Sequence, residues 1–215
     1  MAQKVDFKYN DGSKIYFTSD NHYNHENIIK FCNRPFGSLD EMNNVMIAKW
    51  NETVPTDGLV FHLGDFAWGG FQQWKKIREQ LNGNIILIKG NHDRKNGPQS
   101  QQQYDELFLH TSQQMFIEIE GRRMYLNHLP LLCYDGIYRE KDSLIYALNG
   151  HVHLSNVKER NGGKDCERCF NMFFPTQYDV GVDFNNFYPV SWNEINMKIL
   201  RQIEKNTNLK IWVNE

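Results

Sequence analysis

Short apolar runs alternate with amphipathic stretches along the first half of the chain. Lys14 to Ser19 (KIYFTS) predicts a strand ending in polar residues. Asn24 has the character of an N-cap for a helix over 25–32. Ser38 followed by Glu41 has the form of a capping box. After it, Met42, Val45, Met46 and Trp50 recur at helical spacing up to about Asn51. Leu59 to Leu63 predicts a second strand and Phe71 to Leu81 a helix. Gly83 and Asn84 then turn the chain into the apolar strand Ile85 to Ile88. Alternation of this kind is the signature of an α/β fold.

The second half is richer in hairpins than in crossovers. Asp93 to Gln103 is polar, with Gly97 and Pro98, and predicts an exposed loop leading to a short helix near Tyr104 to Leu109. Met115 to Glu120 and Arg122 to Asn127 flank Gly121 and predict a hairpin. Leu144 to Asn149 and Tyr178 to Val182 are further strand candidates, and 156–172 reads as an irregular insertion around Gly162 and Gly163. Ser191 is placed to cap a final helix to about Lys205, and Leu209 to Val213 predicts a last edge strand. The expected architecture is one α/β domain over 1–215, with two stacked sheets and helices outside them.

Composition narrows the function classes. A length of 215 residues suits one domain, and 24 basic against 26 acidic residues leave a formal charge of −2. That balance argues against a protein held to nucleic acid or membrane by bulk charge. Mean hydropathy is −0.65 and apolar runs are short, which excludes a membrane helix. Met1 to Lys14 lacks an apolar leader, so the expected compartment is the cytoplasm. Cys32 and Cys133 sit in apolar surroundings and are expected as small buried thiols. Cys166 and Cys169 form a lone CxxC, expected as a reduced surface pair because two further zinc ligands are missing.

The unusual polar clusters all follow predicted strands: Asp20-Asn21-His22, Gly64-Asp65, Gly90-Asn91-His92-Asp93, Asn127-His128 and Gly150-His151-Val152-His153. Ligands of α/β sheets gather at the carboxyl ends of strands. Asp20 and His22, like His151 and His153, are two apart and in extended chain present both donors to one side. Gly64, Gly90 and Gly150 allow close backbone approach. Carboxylate, imidazole and amide donors without thiolate suit manganese, iron, zinc or nickel. Two Asp, one Asn and four His are too many for one tetrahedral ion and suit two ions sharing a carboxylate. His92, beside Asn91, is then free to face substrate and give a proton to a leaving oxygen. Arg34 is a candidate phosphate contact, because guanidinium grips phosphate oxygens in pairs. His25 is expected solvated, His62 packed inside its strand, and His110 without a role.

These blocks resemble the calcineurin-like metallophosphoesterase superfamily, whose pattern runs DxH, GD, GNHD or GNHE, a lone His, then GHxH. Here they read DNH at 20–22, GD at 64–65, GNHD at 90–93, NH at 127–128 and GHVH at 150–153. The flanks TSDNHYNHENIIKFCNRPF and YDVGVDFNNFYPVSW are similar to a small bacterial and phage branch. The resemblance implies a four-layer αββα sandwich and two divalent cations, manganese before iron, zinc or nickel. Asp20, His22 and His153 would hold the first, Asn91, His128 and His151 the second, and Asp65 would bridge them. His92 matches the catalytic acid and Asp93 the acidic residue that orients it. Implied too is hydrolysis of a small or nucleotide-like phosphoester, mono or di, by a hydroxide between the ions. A catalytically silent scaffold and a protein phosphatase are the competing readings. The intact ligand set and His92 weigh against the first, and the short chain against the second.

Overall fold

A computed structural model describes residues 4–135, 144–154 and 173–205. Two sheets carry the fold. In the first, β2 (Ile15–Thr18), β3 (Leu59–His62), β4 (Asn84–Ile88) and β5 (His110–Ser112) run parallel, and β10 (Val190–Ser191) joins β2 antiparallel. The second has the order β1 (Phe7–Tyr9), β6 (Gln114–Ile119), β7 (Arg122–Asn127), β8 (Tyr146–Asn149) and β9 (Gln177–Asp179). Only its β6–β7 pair is antiparallel.

The two-residue pleat sorts side chains between layers. Ile15, Phe17, Phe61, Leu63, Ile86 and Ile88 of the first sheet share a core with Met115, Ile117, Met124, Leu126, Tyr146 and Leu148 of the second. The alternate residues Val60, Ile85 and Leu87 face the other way, onto α1 (Glu26–Phe31), α2 (Leu39–Thr53), α3 (Gly70–Arg78) and α5 (Gln101–Leu107). Ile85 to Ile88 is an unbroken apolar run because both faces of β4 are covered. A last helix, α6 (Trp192–Lys205), sends Trp192, Ile195 and Ile199 into the inter-sheet core and lies against β2, β9 and β10.

The expected sheets, hairpin and long helices are present. Ser38 accepts the Glu41 N–H, as a capping residue does, and Ser191 accepts the Glu194 N–H before α6. Three readings change. Asn24 does not cap α1, which His25 precedes. Its backbone is left-handed (φ 63°), and it exchanges hydrogen bonds with Asn43 of α2 at 3.1 and 2.8 Å. The stretch after Asp93 is not a plain exposed loop: it opens with α4 (Asp93–Asn96), whose first residue is fully buried, and α5 begins at Gln101. Cys133 is exposed, whereas Cys32 is buried as expected. The insertion at 156–172, with its CxxC, and the edge strand at 209–213 lie outside the described residues. No helix among the described residues is long and apolar enough to cross a membrane.

Candidate metal centre

Five strand ends converge at one edge of the sandwich. Backbone bonds brace them against each other: Asp20 N–H donates to the Gly64 carbonyl and His22 N–H to that of Asp65, both at 3.0 Å. Gly150 N–H donates to the His128 carbonyl, also at 3.0 Å. Glycine makes this approach possible. A Cβ on Gly90 would fall onto the Asp65 carboxylate, and one on Gly150 onto Ser19 Oγ and the Asp20 carboxylate. Asp20, His22, Asp65, His151 and His153 all hold left-handed backbone (φ 47 to 72°). That is costly for side-chain-bearing residues, and it clusters where function fixes geometry.

The donors form two groups. Ligand-type atoms of Asp20, His22 and His153 lie within 4.8 Å of one another, and so do those of Asp65, His128 and His151. Asp65 Oδ2 stands 3.5 Å from His22 Nε2 in the first group and 3.5 Å from His128 Nε2 in the second. Asn91 Oδ1 joins the second group, 2.9 Å from His128 Nε2. All seven expected ligands are therefore brought together.

Each carboxylate is held by one oxygen and presents the other. Asp20 Oδ2 accepts the His151 N–H at 2.9 Å, while the buried Oδ1 has no hydrogen-bond partner. Asp65 Oδ1 accepts the His92 N–H at 2.9 Å, leaving Oδ2 toward the imidazoles. His22 Nε2 is likewise buried and without a hydrogen-bond partner. Orphaned polar atoms in a protein interior are rare, and oxygen and nitrogen orphans facing one another fit a cation. Two imidazoles are oriented by their far nitrogen: His128 Nδ1 meets the Leu63 carbonyl at 2.7 Å, and His153 Nδ1 meets Asp183 Oδ2 at 2.8 Å. Such contacts leave Nε2 aimed inward, the arrangement that supports metal-ligating histidine.

Electrostatics follow the same plan. Burial opposes charge on His128, but Asp65 and Asp20 outweigh it and push its pKa up to about 9. Burial, then His153 and Arg34, holds His22 well below its usual range. Burial and Asp65 push Asp93 up to about 6, and burial and Asp20 push Asp179 up to about 7. So many titrating groups at one strand-end cleft mark a functional site.

Two expected roles change. Arg34 does not face open surface, for its side chain is wholly buried. It forks onto Asp183 and donates to the carbonyls of Asn21 (2.9 Å) and Asp20 (2.7 Å), so its donors are engaged within the protein. Asp93 does not orient the His92 ring. Its carboxylate accepts the N–H groups of Gly90 (2.7 Å), Asp65 and Phe66 (both 2.9 Å) and so clasps two loops. His92 itself stands at the rim with 43% of its side chain exposed, near the rings of Trp68 (5.6 Å) and His22 (5.4 Å). His25 is not simply solvated: its ring stacks on Trp68 at 4.1 Å.

Asp183 and Trp68 escaped the sequence reading. Asp183 lies inside the quoted stretch YDVGVDF, a signal without an assigned role. His62 is packed, as expected, but it also binds Asn21 Oδ1 at 2.9 Å and accepts the Gly64 N–H at 3.1 Å.

The family model described as calcineurin-like phosphoesterase matches residues 13–213. The uncharacterized protein MJ1445 of Methanocaldococcus jannaschii is 32% identical over 198 residues, covering 89% of this chain and 92% of that protein. The gene 66 protein of Mycobacterium phage D29 is 26% identical over 194 residues, covering 80% and 88%. Among solved structures, the protein of unknown function AQ665 from Aquifex aeolicus superposes with a TM-score of 0.62 at 26% identity, covering 85% of this chain and 97% of that one.

Proposed function

Because the chain belongs to the calcineurin-like phosphoesterase family and is a metal-dependent phosphoesterase, we propose that it hydrolyses a small, nucleotide-like phosphoester at a two-cation centre. Asp20, His22 and His153 would hold one ion, Asn91, His128 and His151 the other, and Asp65 would bridge. The observation that carries this reading is the equal 3.5 Å separation of Asp65 Oδ2 from His22 and from His128, one in each donor group. Manganese is the first choice for both ions, with iron, zinc or nickel as alternatives of similar donor preference.

When bound, such a pair makes water acidic enough to attack near neutral pH and offsets charge on the phosphoryl oxygens. The protein's own side chains do the rest. Asp65 fixes the His92 backbone through Oδ1, setting where the rim imidazole projects. His92 then donates a proton to the departing ester oxygen, which lets a poor alkoxide leave. Asp93 keeps the Asp65 and Asn91 loops in register by its three backbone bonds. Arg34 and Asp183 hold the Asp20 to His22 turn and the His153 ring. A donor set this complete favours turnover over a silent scaffold.

The test is elemental analysis of purified protein together with rates after loading with Mn, Ni, Zn or Mg. Substrates are bis-(p-nitrophenyl) phosphate, p-nitrophenyl phosphate, a cyclic nucleotide and a phosphopeptide. Asp65→Asn is expected to reduce turnover of every cleaved substrate at least a hundredfold, and His92→Ala to do so on the alkyl leaving groups of the cyclic nucleotide and phosphopeptide. Wild-type rates in both variants, or no hydrolysis with any ion, would overturn the proposal.

A further inference from the structure

Next to the second donor group lies a cavity of about 440 Å³ that the proposed chemistry does not use. Asn91 and His128 form part of its wall, so it opens beside the place where the reacting phosphate would sit. Lys89, Arg94 and Lys95 also line it, together with the polar residues Gln113 and Asn127, and no acidic residue does. Three cations around one cavity stand out in a chain whose net charge is −2.

Their partners sharpen the point. The Lys89 ammonium lies 3.7 Å from the centroid of the Tyr104 ring. Arg94 Nη2 donates to the amide oxygen of Gln113 at 2.9 Å. Among the described residues, none of the three is joined to a carboxylate. The surface ion pairs Lys8–Glu118, Lys14–Asp57 and Lys75–Glu106 all lie elsewhere. Arg94 and Lys95 belong to α4, which starts immediately after His92 and is anchored by the buried Asp93. Their backbone is thus fixed relative to the metal ligands, while their heads stay exposed. Cations that line one cavity on a fixed frame without a carboxylate partner attract a multiply charged anion and hold phosphate by charge-assisted hydrogen bonds.

We propose that this cavity is a subsite for a second phosphate group of the substrate. The preferred substrate would be a small molecule carrying two or more phosphates, one cleaved over the cations and one gripped by Lys89, Arg94 and Lys95. The idea rests on the hydrolase reading above, whose cleavage site it extends.

Two measurements test it. Binding of inorganic pyrophosphate is followed by calorimetry on protein freed of metal, with the chelator then dialysed away. Turnover by the metal-loaded enzyme is compared on a thymidine dinucleotide with one internal phosphodiester and on its 5′-phosphorylated form. The variant is Arg94→Gln/Lys95→Gln, at two exposed positions. Loss of two partly exposed charge contacts should weaken pyrophosphate binding about tenfold. The same variant should lose a similar preference for the 5′-phosphorylated dinucleotide, seen in KM, while bis-(p-nitrophenyl) phosphate is cleaved as by wild type. Equal pyrophosphate binding in both proteins, with hydrolysis intact, would overturn the subsite alone. No turnover of any ester, with variant-sensitive pyrophosphate binding retained, would overturn the hydrolase reading and leave the subsite. A 20-residue single strand cleaved more than tenfold better than the phosphorylated dinucleotide would overturn the small-molecule assignment.

Discussion

Arg34 and Asp183, 149 positions apart in sequence, meet as a two-pronged buried ion pair, Nε to Oδ1 at 3.0 Å and Nη2 to Oδ2 at 2.8 Å. Asp183 Oδ2 also meets His153 Nδ1, and the guanidinium reaches the carbonyls of Asp20 and Asn21. Burial opposes charge on Asp183, but Arg34 and His153 prevail and hold its pKa down to about 2. One contact therefore supports a ligand from each end of the first donor group.

Removing one partner of such a pair strands the other charge in the interior, at a cost of about 3–5 kcal/mol. Arg34→Met should lower the urea midpoint accordingly, and Arg34→Lys should recover only part of the loss because it lacks the fork. Arg34→Met/Asp183→Leu should be more stable than Arg34→Met alone, yet bind metal about 10–100-fold more weakly because His153 has lost its support. An unchanged midpoint in Arg34→Met would contradict the burial of this pair.

Gly150→Ala and Gly90→Ala probe the closeness of the loops. In each, the added methyl would occupy the position of a ligand carboxylate, Asp20 for Gly150 and Asp65 for Gly90. Overpacking of this kind costs about 1–3 kcal/mol. Both variants should melt at lower temperature and retain less metal on elemental analysis. Full metal content in Gly150→Ala would show that Asp20 is not where the structure puts it.

That the seven expected donors come together was legible because their signal is local. Each block follows a strand, and Gly64, Gly90 and Gly150 sit beside the donors in the sequence itself. The extended-chain reason for pairing Asp20 with His22 and His151 with His153 fails, however: all four are left-handed, and His151 and His153 fall in different donor groups. What stayed hidden depends on distant partners. Nothing near Arg34 announces Asp183, and a lone arginine beside a phosphoester motif reads as a phosphate contact. The resemblance gives Asp93 the orienting of His92, but its carboxylate is turned to backbone N–H groups of Gly90, Asp65 and Phe66. β1, β5 and β10 span two or three residues each, too short for periodicity to register.

His62 gives the fold a pH dependence separable from the metal ligands. Gly64 N–H donates to Nδ1, so the ring proton resides on Nε2 and is donated to Asn21 Oδ1. Burial depresses the folded pKa to about 3, from an unfolded value of 6.5. The unfolded chain therefore takes up this proton first as pH falls, and stability is lost between pH 6.5 and 3, by about 2 kcal/mol at pH 5. His62→Gln can keep both hydrogen bonds without the charge. In metal-free protein, the stability advantage of wild type over this variant should shrink by that amount between pH 7.5 and pH 5. A difference constant with pH would mean that His62 is charged in the folded state.

His92 differs from His22 and His128 in exposure, and from all four donor-group imidazoles in lying outside both groups. His22 and His128 side chains are 3% exposed, whereas 43% of the His92 side chain meets solvent. Its Nε2 stands 4.0 Å from Asp65 Oδ2, close enough to share the reacting region without joining either donor group. A rim imidazole so placed can deliver a proton outward, to the oxygen that departs from phosphorus. The need for that proton depends on the leaving group. An alkoxide is a poor leaving group unless protonated, while p-nitrophenolate departs readily without help. His92→Ala should therefore slow alkyl phosphodiesters by about 10²–10⁴-fold and p-nitrophenyl esters far less, with metal content unchanged. Plotting log rate against leaving-group pKa for both enzymes makes the comparison, and the variant's line should be steeper. Parallel lines would mean that His92 acts on bound phosphate or on the cations, not on the departing oxygen.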